Sequence, residues 1–110
     1  MSFEILTTEF FQKQARRLLK KYPSLRTELQ SLKTNLLQDP AKGTPIGMGC
    51  YKIRLAIASK NTGKSGGARV ITYVYVEGEV IFLLSVYDKS EQQNISPKQL
   101  KLLLSLLEKE

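Results

Sequence analysis

The spacing of apolar residues changes once along this chain of 110 residues, and the change predicts the order of its secondary structure. Up to residue 36, apolar side chains recur every three or four positions, which predicts amphipathic helices. From Tyr51 onward they alternate with other side chains, which predicts strands that bury one face. Residues 43–49, which contain three glycines and Pro45, lie between the two patterns and predict a break in regular structure. The chain is therefore predicted to have an α+β fold.

Two helices are predicted before this break. Thr7 or Thr8 caps the first helix, which ends at Pro23. Ser24 caps the second helix, which ends before Pro40. Together the two helices form a helical hairpin. Their apolar stripes are Phe11, Ala15, Leu18 and Tyr22 in the first helix and Leu25, Leu29, Leu32 and Leu36 in the second.

Strands and a third helix complete a predicted order of β-α-α-β-β-β-α. A short first strand and an antiparallel meander of three strands cover residues 3–6, 51–58, 68–76 and 80–87. Glu77-Gly78 forms the tight turn between the last two strands, and Ser96-Pro97 begins the last helix. We expect one domain, residues 1–110, whose helical hairpin and last helix cover one face of an antiparallel sheet.

The chain is strongly basic, because 17 Lys and Arg against 10 Asp and Glu give a net charge of +7. This balance favours a partner that carries phosphates, above all nucleic acid, over a basic domain without a polyanionic partner. No apolar run is long enough for a membrane span, and the N-terminus lacks the basic-then-apolar order of a signal peptide. We therefore expect a cytoplasmic protein without a membrane partner.

The residue types present narrow the possible chemistry. The chain has no His, and its one cysteine, Cys50, cannot form an internal disulfide. A metal site would have to rest on carboxylates and this thiolate, so the sequence disfavours metal catalysis. Gly63-Lys64-Ser65 does not complete a nucleotide-binding loop, because the motif needs Gly at position 58, where the chain has Ala58. No metal and no other cofactor is expected.

Positive charge is concentrated between Pro40 and Val76, a stretch without any Asp or Glu. Lys52 and Arg54 are two residues apart on a predicted strand and therefore project from the same face. Arg69 opens the neighbouring strand. Cations that face one another destabilise paired strands, and a phosphate ligand resolves this conflict. The alternative is a set of solvated cations on an uncovered face.

Further basic residues are candidates for contacts with RNA or ribosome phosphates. Lys60 and Lys64 lie in a polar, glycine-rich loop, and Tyr73 lies on the strand that follows. The alternative for the loop is a hairpin connection without a binding role. The first helix contributes five cations, which either bind ribosomal RNA or form a solvated helix face: Lys13, Arg16, Arg17, Lys20 and Lys21.

Segments 51–55, 63–73 and 84–90 together resemble the core of the RelE/ParE superfamily of toxins from toxin–antitoxin systems. The closest resemblance is to the HigB-like branch, and it covers nearly the whole chain. It implies a microbial-RNase fold, endonuclease activity on mRNA in the ribosomal A site, and a cognate antitoxin as partner. A gyrase inhibitor of the ParE type, and a non-catalytic module that blocks translation by binding RNA, are the alternative functions.

The resemblance also implies which residues act. The family's paired basic residues fall on Lys52 and Arg54, its Arg at the start of the next strand on Arg69, and its basic residue after the last strand on Lys89. Some members have a functional Tyr shortly afterwards, whereas residues 93–95 of this chain are Gln, Asn and Ile. This difference leaves the general acid and base unassigned.

Cleavage without His can still be constructed from these residues. The ribose 2′-hydroxyl attacks the adjacent phosphorus, leaving a 2′,3′-cyclic phosphate and a 5′-hydroxyl. Arg54 and Arg69 hold the phosphate oxygens because Arg stays protonated. A lysine among cations releases its proton more readily, so Lys52 is the hypothetical base. Lys89 donates a proton or holds the scissile phosphate.

The last helix is unusually rich in leucine, with six between residues 100 and 107. Its apolar surface is wider than one stripe, which is more than docking on a small sheet requires. The extra leucines are predicted either to complete the core or to form a groove for the antitoxin.

Overall fold

A five-stranded sheet with helices on both faces makes up the described part of this computed structural model, residues 2–58 and 66–107. Within these ranges no helix is long and apolar enough to cross a lipid bilayer. The elements in chain order are β1 (Glu4–Thr7), α1 (Glu9–Lys21), α2 (Leu25–Gln38), β2 (Thr44–Gly47), β3 (Cys50–Leu55), β4 (Ala68–Tyr75), β5 (Val80–Asp88) and α3 (Pro97–Leu106).

The strands follow the order β1-β5-β4-β3-β2 across the sheet. Strands β2 to β5 pair antiparallel with their neighbours, whereas β1 pairs parallel with β5. The predicted α+β fold and its meander are confirmed, but the sheet is mixed rather than wholly antiparallel. Parallel strands need a long connection, and here the helical hairpin and most of the meander lie between β1 and β5.

Strand β2 occupies part of the segment for which we predicted a break. That prediction is wrong for Thr44–Gly47, which pairs with β3 at the edge of the sheet. Pro45 lacks an N–H group and is tolerated there because one side of an edge strand has no neighbouring strand. The turn into β3 does have an irregular backbone, since Gly47, Met48 and Gly49 have φ angles of 93°, 57° and 76°.

Helices α1 and α2 pack on one face of the sheet. Thr8 caps α1 as predicted, and its hydroxyl accepts a hydrogen bond from the Phe11 N–H at 3.0 Å. Ser24 stands at the start of α2, but its backbone is helical and its side chain makes no capping bond, so its predicted capping role is wrong. The predicted stripes of both helices pack against Ile53, Leu55, Val70, Ile81, Leu83 and Val86.

Helix α3 packs on the opposite face, which corrects the expectation that all helices cover one face. Its predicted start is confirmed, because Ser96 and Gln99 form a capping box and Pro97 lies in the first turn. Strands β4 and β5 are buried along most of their length, on both faces, and therefore need cover on both. The second core contains Leu100 and Leu103 of α3 together with Cys50, Ile71, Leu84 and Tyr87 of the sheet.

Helix α1 closes the edge of β5 that β1 leaves uncovered. Strand β1 pairs with β5 only from Val80 to Leu83. Beyond this point the side-chain oxygen of Gln14 accepts hydrogen bonds from the Val86 N–H at 3.0 Å and from the Ser85 hydroxyl at 2.9 Å. One side chain of α1 thus takes the place of a neighbouring strand.

Candidate active site

Two arginines and a tyrosine form a row across β3, β4 and β5. Arg54 is the direct partner of Arg69, and Arg69 is the direct partner of Tyr87. Direct partners share a face of the sheet, with Cβ atoms about 4.5–5.5 Å apart. Lys52 precedes Arg54 by two residues and lies on this face too. The structure thus brings together the three cations that the sequence predicted, and we call Lys52, Arg54 and Arg69 the cation cluster.

Arg69 is the buried member of the cation cluster, with only 3% of its surface exposed. Its Nη1 donates a hydrogen bond to the Ala68 carbonyl at 3.1 Å. Burial and then the charge of Arg54 lower the pKa of Arg69, while Tyr87 acts in the opposite direction. Arg nevertheless remains protonated in proteins. The site therefore holds a poorly solvated positive charge next to an exposed one, which favours the binding of an anion.

Tyr87 flanks Arg69 on the side away from Arg54, and 4% of its surface is exposed. Its hydroxyl is buried and has no hydrogen-bond partner among the described residues. Burial raises the pKa of Tyr87, and the charge of Arg69 offsets part of this effect. The phenol therefore stays protonated near neutral pH, and it is a hydrogen-bond donor rather than a base.

Lys52 reaches from β3 towards the segment that precedes α3. Its Nζ donates a hydrogen bond to Oδ1 of Asn94 at 3.3 Å. Gln92 in turn donates from Nε2 to the Asn94 carbonyl at 3.0 Å. Asn94 lies in the three-residue stretch where some family members have a functional Tyr. The acceptor of Lys52 is thus a neutral amide from this stretch, so the contact leaves the positive charge of the site unneutralised.

Lys89 follows β5 and lies beside the start of β4. Its backbone N–H donates to the Gly67 carbonyl at 3.0 Å, which joins the ends of the two strands. The buried carboxylate of Asp88 holds this turn by accepting hydrogen bonds from the Tyr22 hydroxyl at 3.0 Å and from the Ser90 backbone N–H at 2.9 Å. Lys89 therefore belongs to the same end of the sheet as the row of Arg54, Arg69 and Tyr87.

The arrangement supplies positive charge and hydrogen-bond donors without an imidazole. Among residues 2–58 and 66–107, no three His, Cys, Asp or Glu side chains are grouped so that they could hold a metal ion. Guanidinium groups bind phosphate oxygens in pairs of hydrogen bonds and stabilise negative charge that builds on them. These groups suit the binding of a phosphodiester.

A family comparison identifies the chain. The model of the RelE toxin of the RelE/RelB toxin–antitoxin system matches residues 3–109. The chain belongs to the RelE toxin family. It is a toxin of a toxin–antitoxin system, and the predicted resemblance to the RelE/ParE superfamily is confirmed. Its place in the HigB-like branch stays a prediction.

Solved structures of E. coli RelE share the fold of this toxin. The isolated E. coli toxin is 22% identical, with 96% of this chain and 99% of that chain covered and a TM-score of 0.60. A free variant of E. coli RelE with two Arg-to-Ala substitutions is 23% identical, with 84% and 90% covered and a TM-score of 0.61. A chain of the intact E. coli RelBE toxin–antitoxin complex is 26% identical, with 80% and 96% covered and a TM-score of 0.59.

The toxin carries a second basic surface on α1, formed by the five exposed side chains Lys13, Arg16, Arg17, Lys20 and Lys21. Arg17 binds Glu91 through two hydrogen bonds of 2.7 and 3.3 Å, and Lys21 lies 5.3 Å from the centre of the Tyr22 ring. Arg16 lines a cleft of about 360 Å³ between α1 and α2. The surface lies on the helix that packs on the hairpin side of the sheet, and Arg17 links it to the turn after β5 through Glu91.

The other predicted RNA contacts are Lys60, Lys64 and Tyr73. Lys60 and Lys64 lie outside the described residues. Tyr73 stacks on Phe82, with ring centres 6.1 Å apart, and on Tyr75 at 6.4 Å. Along β4 it is four residues, about 13 Å, from Arg69. It is the direct partner of Cys50, and it therefore lies diagonally opposite Lys52 on the face that carries the cation cluster.

The leucines of the last helix differ in burial. Two are buried in the second core, three are half-buried against it, and Leu102 is 65% exposed. Leu102 and Phe10, which is 41% exposed, line a cleft of about 150 Å³ between α1 and α3. Core packing thus explains most of the leucines but does not explain Leu102.

Sequence reasoning missed two residues of the site, Tyr87 and Asn94. The sequence places Tyr87 on a strand, but its position next to Arg69 depends on the pairing register of β4 and β5. The register cannot be predicted from the sequence pattern of either strand alone. Asn94 entered the sequence analysis only because residues 93–95 lack the Tyr that some family members have there. The sequence of this loop does not indicate that the Asn94 amide accepts a hydrogen bond from Lys52.

Proposed function

We propose that this toxin is a ribosome-dependent endoribonuclease that cleaves mRNA in the A site and thereby inhibits translation. The 2′-hydroxyl attacks the adjacent phosphorus, the bond to the 5′-oxygen breaks, and the products carry a 2′,3′-cyclic phosphate and a 5′-hydroxyl. The observation that carries the proposal is the burial of Arg69 directly opposite the exposed Arg54.

This pair supports phosphate binding on physical grounds. Like charges that face each other across two strands are unfavourable. A phosphodiester bound between Arg54 and Arg69 relieves the repulsion between the two charges. Both guanidinium groups then stabilise the charge that builds on the phosphate oxygens during attack, an effect that depends on donors fixed in advance. The buried side chain of Arg69 meets this condition.

The two lysines of the site take the proton-transfer roles in this proposal. Lys52 is the base that removes the proton of the 2′-hydroxyl, and its hydrogen bond to a neutral amide leaves it free of a neutralising carboxylate in that contact. Lys89 protonates the 5′-oxygen or holds the scissile phosphate, from its position at the end of β5. The ribosome contributes the alignment for in-line attack, which accounts for part of the rate.

The basic surface of α1 is proposed to hold the toxin on ribosomal RNA. Four of its five cations make no hydrogen bond to a carboxylate, judged over the described residues, and all five are exposed to solvent. Contacts of this kind orient a protein on a phosphate backbone without reading sequence. The affinity for the ribosome is therefore expected to fall steeply with salt.

A cognate antitoxin is the proposed protein partner. The family is defined by the RelE/RelB toxin–antitoxin system, and a similar E. coli toxin has been solved in complex with an antitoxin peptide, at 26% identity and a TM-score of 0.60. The exposed Leu102 and Phe10, on either side of the cleft between α1 and α3, are the apolar surface that we assign to this partner.

Cleavage of mRNA by purified toxin and ribosomes tests the nuclease. New 5′ ends within open reading frames are expected with the wild-type protein. Arg69→Ala and Arg69→Met should each lower the rate at least about 100-fold, because a fixed donor to the reacting phosphate is lost. The Met variant keeps the packing of the side chain and should fold as well as the wild type. Message that stays intact with the wild-type protein contradicts the proposal and favours a gyrase inhibitor or a non-catalytic RNA binder.

A further inference from the structure

We propose that the hydroxyl of Tyr87 donates a hydrogen bond to a non-bridging phosphate oxygen of the bound RNA, next to Arg69. This inference rests on the proposed nuclease function and adds a residue to its site. It concerns a side chain of segment 84–90 to which the family resemblance assigns no role, on a different element from the expected Tyr.

The first support is the unsatisfied state of the Tyr87 hydroxyl. The hydroxyl is fully buried, and no described residue accepts or donates a hydrogen bond to it. A buried donor without a partner is unfavourable, and such groups are rare unless a ligand or water completes them. A phenylalanine would fill the same space without this penalty. The hydroxyl therefore calls for an acceptor that arrives with a ligand.

The second support is the position of Tyr87 beside the charge that attracts the ligand. Arg69 lies between Arg54 and Tyr87 in the row across the sheet, with each pair in direct register. An anion that binds Arg69 is therefore adjacent to both neighbours. Phosphate offers several oxygens, so one can accept from the guanidinium while another accepts from the phenol.

Protonation is consistent with a donor role. Burial raises the pKa of Tyr87, so the O–H group is retained at neutral pH even though Arg69 acts in the opposite direction. Tyr87 is therefore distinct from the base that the mechanism requires. It adds an uncharged donor to a site in which the other donors are cations.

The substitution Tyr87→Phe tests the proposal because it removes the hydroxyl and keeps the ring. Single-turnover cleavage on the ribosome should slow about 10- to 100-fold, the range for a hydrogen bond to a charged group. The affinity for the ribosome should not change, since other surfaces provide it. Stability to urea should be equal to or higher than that of the wild type, because no hydrogen bond within the described structure is lost.

Thr72→Val provides a matched control. Thr72 also has a buried hydroxyl without a partner, but it lies opposite Tyr51 and Leu83, on the face that packs against the hairpin. Its replacement should likewise preserve stability, and it should leave cleavage at the wild-type rate. If both variants lose activity equally, the loss reflects the packing of β4 and β5 and overturns the proposed contact.

A second measurement does not depend on catalysis. Titration with inorganic phosphate, followed by NMR of the arginine side-chain N–H groups, should show about tenfold weaker binding by Tyr87→Phe than by the wild type. Equal phosphate affinities overturn the role of Tyr87 whether or not the wild type cleaves mRNA. Weaker phosphate binding by the variant supports it, even if a wild-type protein that leaves mRNA intact has contradicted the nuclease function.

Discussion

Arg54 stands directly opposite Arg69 across β3 and β4, so the sheet holds two like charges side by side on the face of the candidate active site. Burial, and then the charge of the exposed Arg54, lowers the pKa of Arg69, and the second effect has the direction expected of two like charges that repel. The pair is therefore expected to trade stability for function.

This trade can be measured with Arg54→Gln, which removes the charge and keeps a long side chain. The free energy of unfolding of the variant should exceed that of the wild type by up to about 0.5 kcal/mol at low salt. The variant should cleave mRNA at least about tenfold more slowly. The gain in stability should vanish near about 1 M salt, where charges are screened within about 3 Å. Lys33→Gln, on the exposed face of α2, controls for the change in net charge. A loss of stability in Arg54→Gln contradicts the proposed repulsion.

Alkaline pH should destabilise the toxin through Cys50. Burial raises the pKa of the Cys50 thiol from 9.0 to about 11. A group whose pKa is higher in the folded state stabilises it in full below its unfolded pKa, and this contribution is lost as pH rises towards the folded value. Between pH 9 and about 11 the wild type should lose on the order of 2 kcal/mol more than Cys50→Ala, in urea unfolding at each pH. Parallel losses in the two proteins would contradict this assignment.

The ion pair between Arg17 and Glu91 should contribute little to stability. The two side chains are 58% and 41% exposed, so Glu91→Gln should cost no more than about 0.5 kcal/mol at neutral pH. The hydrogen bond from Arg17 lowers the pKa of Glu91. The contribution is therefore present above the unfolded pKa of about 4.3 and is lost as pH falls below it. Denaturation of the variant at pH 7 and pH 3, with Glu77→Gln as an exposed control, measures both effects. If the difference in unfolding free energy between the wild type and Glu91→Gln is larger at pH 3 than at pH 7, the expected loss of this contribution in acid is wrong.

Substitution of Leu102 should weaken antitoxin binding and should leave stability and mRNA cleavage unchanged. Leu102→Lys places a charge on a side chain that is 65% exposed, so stability and mRNA cleavage should stay at wild-type levels. Binding of the cognate antitoxin should weaken at least about tenfold, because a charge enters an apolar contact. Isothermal titration with the purified antitoxin measures this, and Lys101→Ala on the same helix is the control. Wild-type affinity in Leu102→Lys would place the antitoxin contact elsewhere.

Local patterns were sufficient for the helices and the meander. Thr8 and the spacing of Phe11, Ala15 and Leu18 predicted α1, and Ser96-Pro97 predicted the start of α3, because caps and periodicity act within a few residues. Strand β2 escaped prediction because a four-residue edge strand with a proline has no alternating pattern. The parallel pairing of β1 with β5 and the packing of α3 on the second face are long-range contacts that no local pattern contains.

The candidate site was predicted in the same partial way. Alternation placed Lys52 and Arg54 on one face, and the register of β3 and β4 then brought Arg69 beside them, as expected. The burial of Arg69 was not predicted, because it depends on what covers the sheet rather than on the strand itself. The position of Tyr87 beside Arg69 follows from the register of β4 and β5, which the sequence alone did not predict.

The hydrogen bonds of Gln14 bear on self-association. Along residues 84–88 no strand of the described ranges pairs with β5 on the side of β1. An open edge with free N–H and C=O groups is a template on which another chain can add a strand. Gln14 occupies the Val86 N–H, and α1 stands where an incoming strand would have to lie. The helix that carries the basic surface therefore also protects the toxin from aggregation through its own sheet.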